Sequence, residues 1–160
     1  MNLIVETDLG HDPDDFFAIC YLIAIGVNIR AVCISAGDPD QIAIARLIFK
    51  ETGIDVPIGV SHENRTKLSS GSIHHALLKK YGMSLEAKAD GKGIDIIGET
   101  LSKYPDCEFF VIGPVSSIGK YIQQNPDACY NSATMQGGFL PYSVYKPDFI
   151  FSNFEGKEWM

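Results

Sequence analysis

Paired cysteines are missing from this 160-residue chain: Cys20, Cys33, Cys107 and Cys129 stand far apart and form no C-x-x-C unit. Those spacings argue against zinc ligation and outline no disulfide framework. Cys20 and Cys33 lie among apolar residues and are expected to be buried thiols. Positive charge is also scarce, with 13 Lys and Arg against 20 Asp and Glu and a formal net charge of −7. That balance argues against nucleic acid or an anionic membrane as a partner. The longest apolar stretch, residues 16–27, is too short to span a bilayer and is broken by Gly26. No basic, apolar leader precedes the first strand, so no signal peptide is expected, and a reducing, cytoplasmic setting fits. Repeats and low-complexity segments are missing too. What is present, 46% hydrophobic and 21% charged residues, suits one soluble globular domain over residues 1–160.

The periodicities predict alternating strands and helices. Strands are expected at 2–7, 29–35, 56–60, 108–112 and 133–135. Helices are expected from Pro13 to Ile25, with Asp12 as N-cap, and over 40–52, 73–81, 94–103 and 116–124. The first helix is apolar nearly all round and so is expected to be well buried. Residues 61–71 read as a long loop, of the kind that is commonly functional in compact domains, and an irregular segment runs from the third helix to Gly93. Near-continuously apolar strands alternating with helices imply a doubly wound, mainly parallel α/β sheet. The aromatic-rich stretch 139–160 has no clean period and would leave apolar surface that invites association.

Five carboxylates, Glu6, Asp8, Asp12, Asp14 and Asp15, fall within ten residues directly after the first strand. Like charges packed this densely raise one another's pKa unless a cation neutralises them. Oxygen-only donors suit a hard ion, Ca²⁺ or Mg²⁺. Helix capping accounts for one or two of the acids but not for Asp8, Asp14 and Asp15 together. The spacing does not fit an EF-hand, because the acids, glycine and terminal glutamate of that loop are out of register. A D-x-D phosphotransferase pattern fails because Gly10 stands two residues after Asp8, and a receiver domain lacks its later aspartate and lysine. In parallel sheets, ligands collect at the carboxyl ends of strands. Two further polar clusters fall there, Gly37-Asp38 and Gly113-Pro114-Val115-Ser116-Ser117.

With these stretches the sequence resembles the inosine-uridine-preferring nucleoside hydrolase family. The signature D-x-D-P-G-x-D-D-A is similar to Glu6-Thr7-Asp8-Leu9-Gly10 followed, after a loop two residues longer, by Asp14-Asp15. Gly37-Asp38 stands where the family carries G-N. The segment from Ile112 to Ile118 resembles L-G-P-L-T-N-[IL], and Met135-Gln136-Gly137-Gly138 resembles an M-G-G segment. The resemblance implies a Rossmann-like fold, Ca²⁺ as cofactor, and hydrolysis of the N-glycosidic bond of a ribonucleoside to ribose and free base. It implies that Asp8 is both a Ca²⁺ ligand and the general base, that Asp15 is a second ligand, and that Ile112 donates its backbone carbonyl. Asp14 and Asp38 would contact the ribose, and His74 would stand near the nucleobase. His11 is expected to pack in the acidic loop, and His62 and His75 to lie on the surface.

Family members are about twice as long, and their later half supplies an E-F-N segment, a leaving-group histidine and a last metal aspartate that this chain lacks. The chain is therefore expected to be the N-terminal portion of such a fold. Two functional classes follow. One is a nucleosidase completed by a separate C-terminal polypeptide; family members form homo-oligomers, and the sequence leaves the oligomeric state of this chain open. The other is a non-catalytic remnant that binds metal or a partner. An unrelated Mg²⁺-dependent phosphohydrolase is a third reading.

Overall fold

A computed structural model describes residues 1–10, 13–69, 72–128 and 131–136, with the backbone alone at 72 and 73. The expected His11 packing, the Asp12 cap and the aromatic stretch lie outside the described residues. The elements run β1 (Asn2–Thr7), α1 (Asp14–Ala24), β2 (Asn28–Ile34), α2 (Pro39–Thr52), β3 (Ile58–Val60), α3 (Ser72–Lys80), β4 (Gly91–Lys92), α4 (Gly93–Lys103), β5 (Glu108–Val111), α5 (Ser117–Gln124) and β6 (Ala133–Met135). The six strands form one sheet in the order β4-β3-β2-β1-β5-β6, every neighbouring pair parallel.

Parity along β1 separates the two faces, because successive side chains of a strand point to opposite sides. Leu3 and Val5 enter a core with Ile19 and Leu22 of α1, Ile44 and Leu47 of α2 and Leu78 of α3. Ile4 enters a second core on the other side, with Ile96 and Ile97 of α4 and Ile118 of α5. The sheet is thus doubly wound, as expected from its near-continuously apolar strands. In register, Thr7 stands beside Ile34, Ile34 beside Val60, and Glu6 beside Val111. The carboxyl ends of β1, β2, β3 and β5 therefore finish close to one level, and the loops that leave them meet.

Pro13 stands at the N-cap position of α1 and offers no side-chain cap. One expectation is corrected: α1 is not buried all round. Its inner face carries Asp15, Ile19 and Leu22, while Phe17 and Tyr21 are each 65% exposed and Ile25, just past the helix, is exposed too. A spacing of four residues lines these three up on one outward stripe, which composition alone could not distinguish from core. The edge strand β4, two residues long, lies in the segment expected to be irregular. No helix among the described residues is long and apolar enough to cross a membrane.

Candidate functional site

The acidic loop is divided by the same strand parity. Thr7, on the α1 side, is fully buried, and its hydroxyl donates to Asp15 Oδ2. The Asp8 amide donates to the same oxygen at 3.1 Å, and the Leu9 amide donates to Thr7 Oγ1 at 3.0 Å. Asp15, in the first turn of α1, is only 4% exposed. Burial pushes its carboxyl up to about 7; the charges of Asp8 and Asp14 add to that, and the Thr7 hydroxyl and Asp8 amide oppose it. Asp14 is exposed, and its Oδ1 accepts the Asp15 amide at 2.9 Å.

Glu6, one residue before Thr7, points the other way. Its fully buried carboxylate accepts the backbone amides of Ser116, Ser117 and Ile118 at the start of α5, Ser116 at 3.0 Å and Ile118 at 2.9 Å. Those amides have no partners within the helix, and a carboxylate at the positive end of the helix satisfies them. Burial still raises the Glu6 pKa, the three amides and Ser35 pulling it back. Of the five crowded acids, Glu6 thus belongs to the sheet–helix junction. Its cap serves α5, more than a hundred residues away, and not the adjacent helix.

Where the strands end, a cleft of about 220 Å³ opens, lined by Asp8, Ser35, Ala36, Ser61, His62, Pro114 and Ser116. It draws on the loops after β1, β2, β3 and β5 and straddles the point where strand order reverses between β1 and β5, the usual place for a ligand in such sheets. The convergence of the three polar clusters is therefore real for Asp8 and for the Pro114–Ser116 stretch. Asp38 stands just outside: it occupies the N-cap position of α2, and its carboxylate pairs with the Arg65 guanidinium. A larger hollow of about 410 Å³ between α4 and α5 carries Asp95 and Glu99 but no residue of the acidic loop.

Ile112 and Gly113 follow β5 directly. The Ile112 amide donates to Glu6 O at 2.8 Å, which carries the backbone alongside the end of β1. A Cβ placed on Gly113 would lie 2.5 Å from Asp8 N and 2.7 Å from Asp8 Oδ1. Only glycine fits there, and the approach sets the Ile112-Gly113 backbone against Asp8. Gly113→Ala is accordingly expected to cost about 2–4 kcal/mol, because the obstacle is backbone that cannot turn away. Urea unfolding checks this, and an unchanged midpoint would contradict the close packing.

The histidines divide differently from the sequence reading. His74 is 1% exposed, lies 6.0 Å from the Phe16 ring between centroids, and does not line the cleft. Burial lowers its pKa, with the nearby Gly10 backbone and Asp40 opposing, and among the described residues its ring nitrogens have no well-formed hydrogen bond. His75, expected on the surface, is half-buried, with Nε2 2.6 Å from Asp40 Oδ2. Asp40 also takes the Ser69 amide at 2.8 Å, while Ser69 Oγ reaches Gly10 O at 3.2 Å. The loop after β3 is thus tied to both α2 and the acidic loop. His62 is exposed and lines the cleft. Cys33 is buried as expected, and Cys20 half-buried.

The donors suit a hard cation in kind: Asp8 at the cleft, Asp15 behind it, and a main-chain stretch at Ile112, all oxygen. The upward push on Asp15 comes first from burial and then from the charges of Asp8 and Asp14, and a cation would relieve that second part. In number they are few. Among the described residues no three His, Cys, Asp or Glu side chains converge to hold a metal ion. Sequence reasoning passed over Thr7, Ser35, Gln41 and Arg65. A polar Gln41 beside the apolar run Ile42-Ala43-Ile44-Ala45 was the one visible signal among them.

No protein-family model and no curated protein matches the sequence. Solved structures do match in fold. A plant nucleoside hydrolase, the PpNRh1 enzyme, superposes with a TM-score of 0.62 at 16% identity, covering 84% of this chain and 46% of that one. The type III effector protein XopQ, solved in complex with adenosine diphosphate ribose, gives a TM-score of 0.64 at 22% identity, over 88% and 45% of the two chains. The fold is the Rossmann-like fold of these nucleoside hydrolase-like structures, and the chain spans less than half the length of either.

Proposed function

We propose that this chain carries the base-and-metal side of a Ca²⁺-dependent nucleoside N-ribohydrolase site, and that by itself it binds Ca²⁺ with little or no turnover. The observation that carries the reading is Asp8 at the mouth of the strand-end cleft, backed by a buried Asp15 whose ionisation is opposed by burial and by the charges of Asp8 and Asp14. Hydrolysis of an N-glycosidic bond passes through an oxocarbenium-like sugar, which a nearby carboxylate stabilises. Asp8, half-buried at the cleft, would take a proton from the attacking water. Asp8, Asp15 and the Ile112 carbonyl would hold the ion, which when bound lowers the pKa of the attacking water.

Asp14, exposed on the first turn of α1, is assigned to a ribose hydroxyl. Asp38 is assigned likewise, with Arg65 as the competitor that a sugar hydroxyl must displace. His74 is assigned to the nucleobase side, which requires it to leave its buried place beside Phe16. The short donor set favours binding without turnover and makes a second polypeptide that supplies the remaining ligands the partner to look for.

The test has two arms. Calorimetry should detect Ca²⁺ binding to the chain at up to millimolar concentration, and no heat at all would remove the metal site. Ribose release from inosine and uridine should stay near background with and without Ca²⁺. Rapid release by the chain alone would show that the site is complete as it stands.

A further inference from the structure

Gln41 is 1% exposed and sits in the first turn of α2, between the loop after β1 and the loop after β2. Its side-chain nitrogen donates to Asp8 O and to Ser35 O, each at 3.2 Å. Its side-chain oxygen accepts the amides of Gly37 at 3.0 Å and Asp38 at 2.9 Å. A glutamine amide has two donors and two acceptor sites, and all four are used. Two main-chain carbonyls face the nitrogen and two main-chain amides face the oxygen, so the amide orientation is dictated by its surroundings. Gly10 closes the arrangement from the other side: with φ +112 it brings the acidic loop so near that a Cβ would lie 3.0 Å from Gln41 Cγ.

The consequence is a rigid link between the two loops that flank the cleft. The Asp8 main chain is fixed on one side of the amide and the Asp38 main chain on the other. No other amino acid supplies this pattern at this length. Glutamate would turn an acceptor toward two carbonyls, asparagine is one methylene short, and an apolar residue would strand two carbonyls and two amides in a buried place.

We infer that Gln41 is a positioning residue, which sets the separation and orientation of Asp8 at the cleft and Asp38 beside it. It touches neither metal nor sugar and acts through the backbone of both. The inference rests on the site reading above for its purpose, but the coupling itself can be measured without metal.

The experiment compares wild type, Gln41→Glu and Gln41→Met with Ile97→Ala, a cavity variant in the core on the far side of the sheet. Gln41→Met carries no buried charge and serves if Gln41→Glu fails to fold. Amide hydrogen exchange is read at Asp8 and Leu9 on one loop and at Gly37 and Asp38 on the other, at matched global stability. Exchange at all four should quicken by about tenfold or more in the Gln41 variants, as for amides released from a local hydrogen-bonded unit, and not in Ile97→Ala. Loosening confined to Gly37 and Asp38 would overturn the inference and leave Gln41 as a local cap of α2. In parallel, Ca²⁺ affinity should fall by about tenfold, the usual effect of losing a residue that orients a ligand. Unchanged affinity in a chain that binds Ca²⁺ would also overturn it. If wild type takes up no Ca²⁺, the metal reading fails and the exchange result alone decides the role of Gln41.

Discussion

The metal-free protein is expected to lose stability as pH rises from about 4 to about 7, with Asp15 as the cause, by about 2–4 kcal/mol. An aspartate ionises near 3.8 in the unfolded chain, whereas in the fold Asp15 is pushed up to about 7, first by burial and then by Asp8 and Asp14. Between those values the native state holds a proton that the unfolded state has released. Stabilisation is therefore complete below the unfolded pKa and is lost as pH rises through the folded one. Asp15→Asn keeps the shape and the neutral state, so this variant should match wild type near pH 4 and exceed it near pH 8. Ca²⁺ acts in the opposite sense, because it needs the ionised carboxylate, and its affinity should climb with pH through about 7. Urea unfolding in chelator across this range, for both proteins, reads the effect. A wild-type-minus-variant difference that stays flat with pH would show that Asp15 is not crowded as described.

The second large effect is expected at Glu6. Glu6→Ala should destabilise by about 3–5 kcal/mol, a large share of the 5–15 kcal/mol that holds a domain together. The side chain is fully buried and three amides at the start of α5 depend on it. Its removal leaves the buried Ser117 and Ile118 amides without partners, while Ser116 keeps the Pro114 carbonyl at 2.8 Å, and it opens a cavity between β1 and α5. Glu6→Gln should cost less, because one oxygen remains to accept; the Ile118 amide would then face an NH₂ donor if the amide oxygen stays with Ser116 and Ser117. Thermal and urea unfolding of both variants check the order. An alanine variant as stable as wild type would mean that α5 finds another cap. By contrast, Asp14→Ala, on the exposed first turn of α1, removes nothing buried and should shift stability by less than about 1 kcal/mol.

The sharing of labour among the crowded acids explains how so many carboxylates fit after one strand. Glu6 and Thr7 are neighbours in the chain but stand on opposite faces of the sheet. One spends its charge on a helix start, and the other uses a hydroxyl to hold Asp15. Among the described acids of the loop, Asp8, Asp14 and Asp15 are left to repel one another, and they are the three that helix capping does not account for.

The architecture, and the end of the sheet at which the candidate cleft opens, were legible in the amino-acid order. Apolar strands alternating with helices required a parallel sheet covered on both sides, and a parallel sheet collects its polar loops at one end. The acidic run after β1 was visible because composition and spacing are local properties. The tertiary structure alone decided which acid serves what, since Glu6 is committed by α5, which follows it by more than a hundred residues. It alone revealed Gln41 and Arg65, whose partners lie on other loops and which carry no local signal of their own beyond a polar residue in an apolar helix. It also turned Phe17 and Tyr21 outward and His74 inward. Helical periodicity shows which residues share a face; what covers that face is decided by elements remote in sequence.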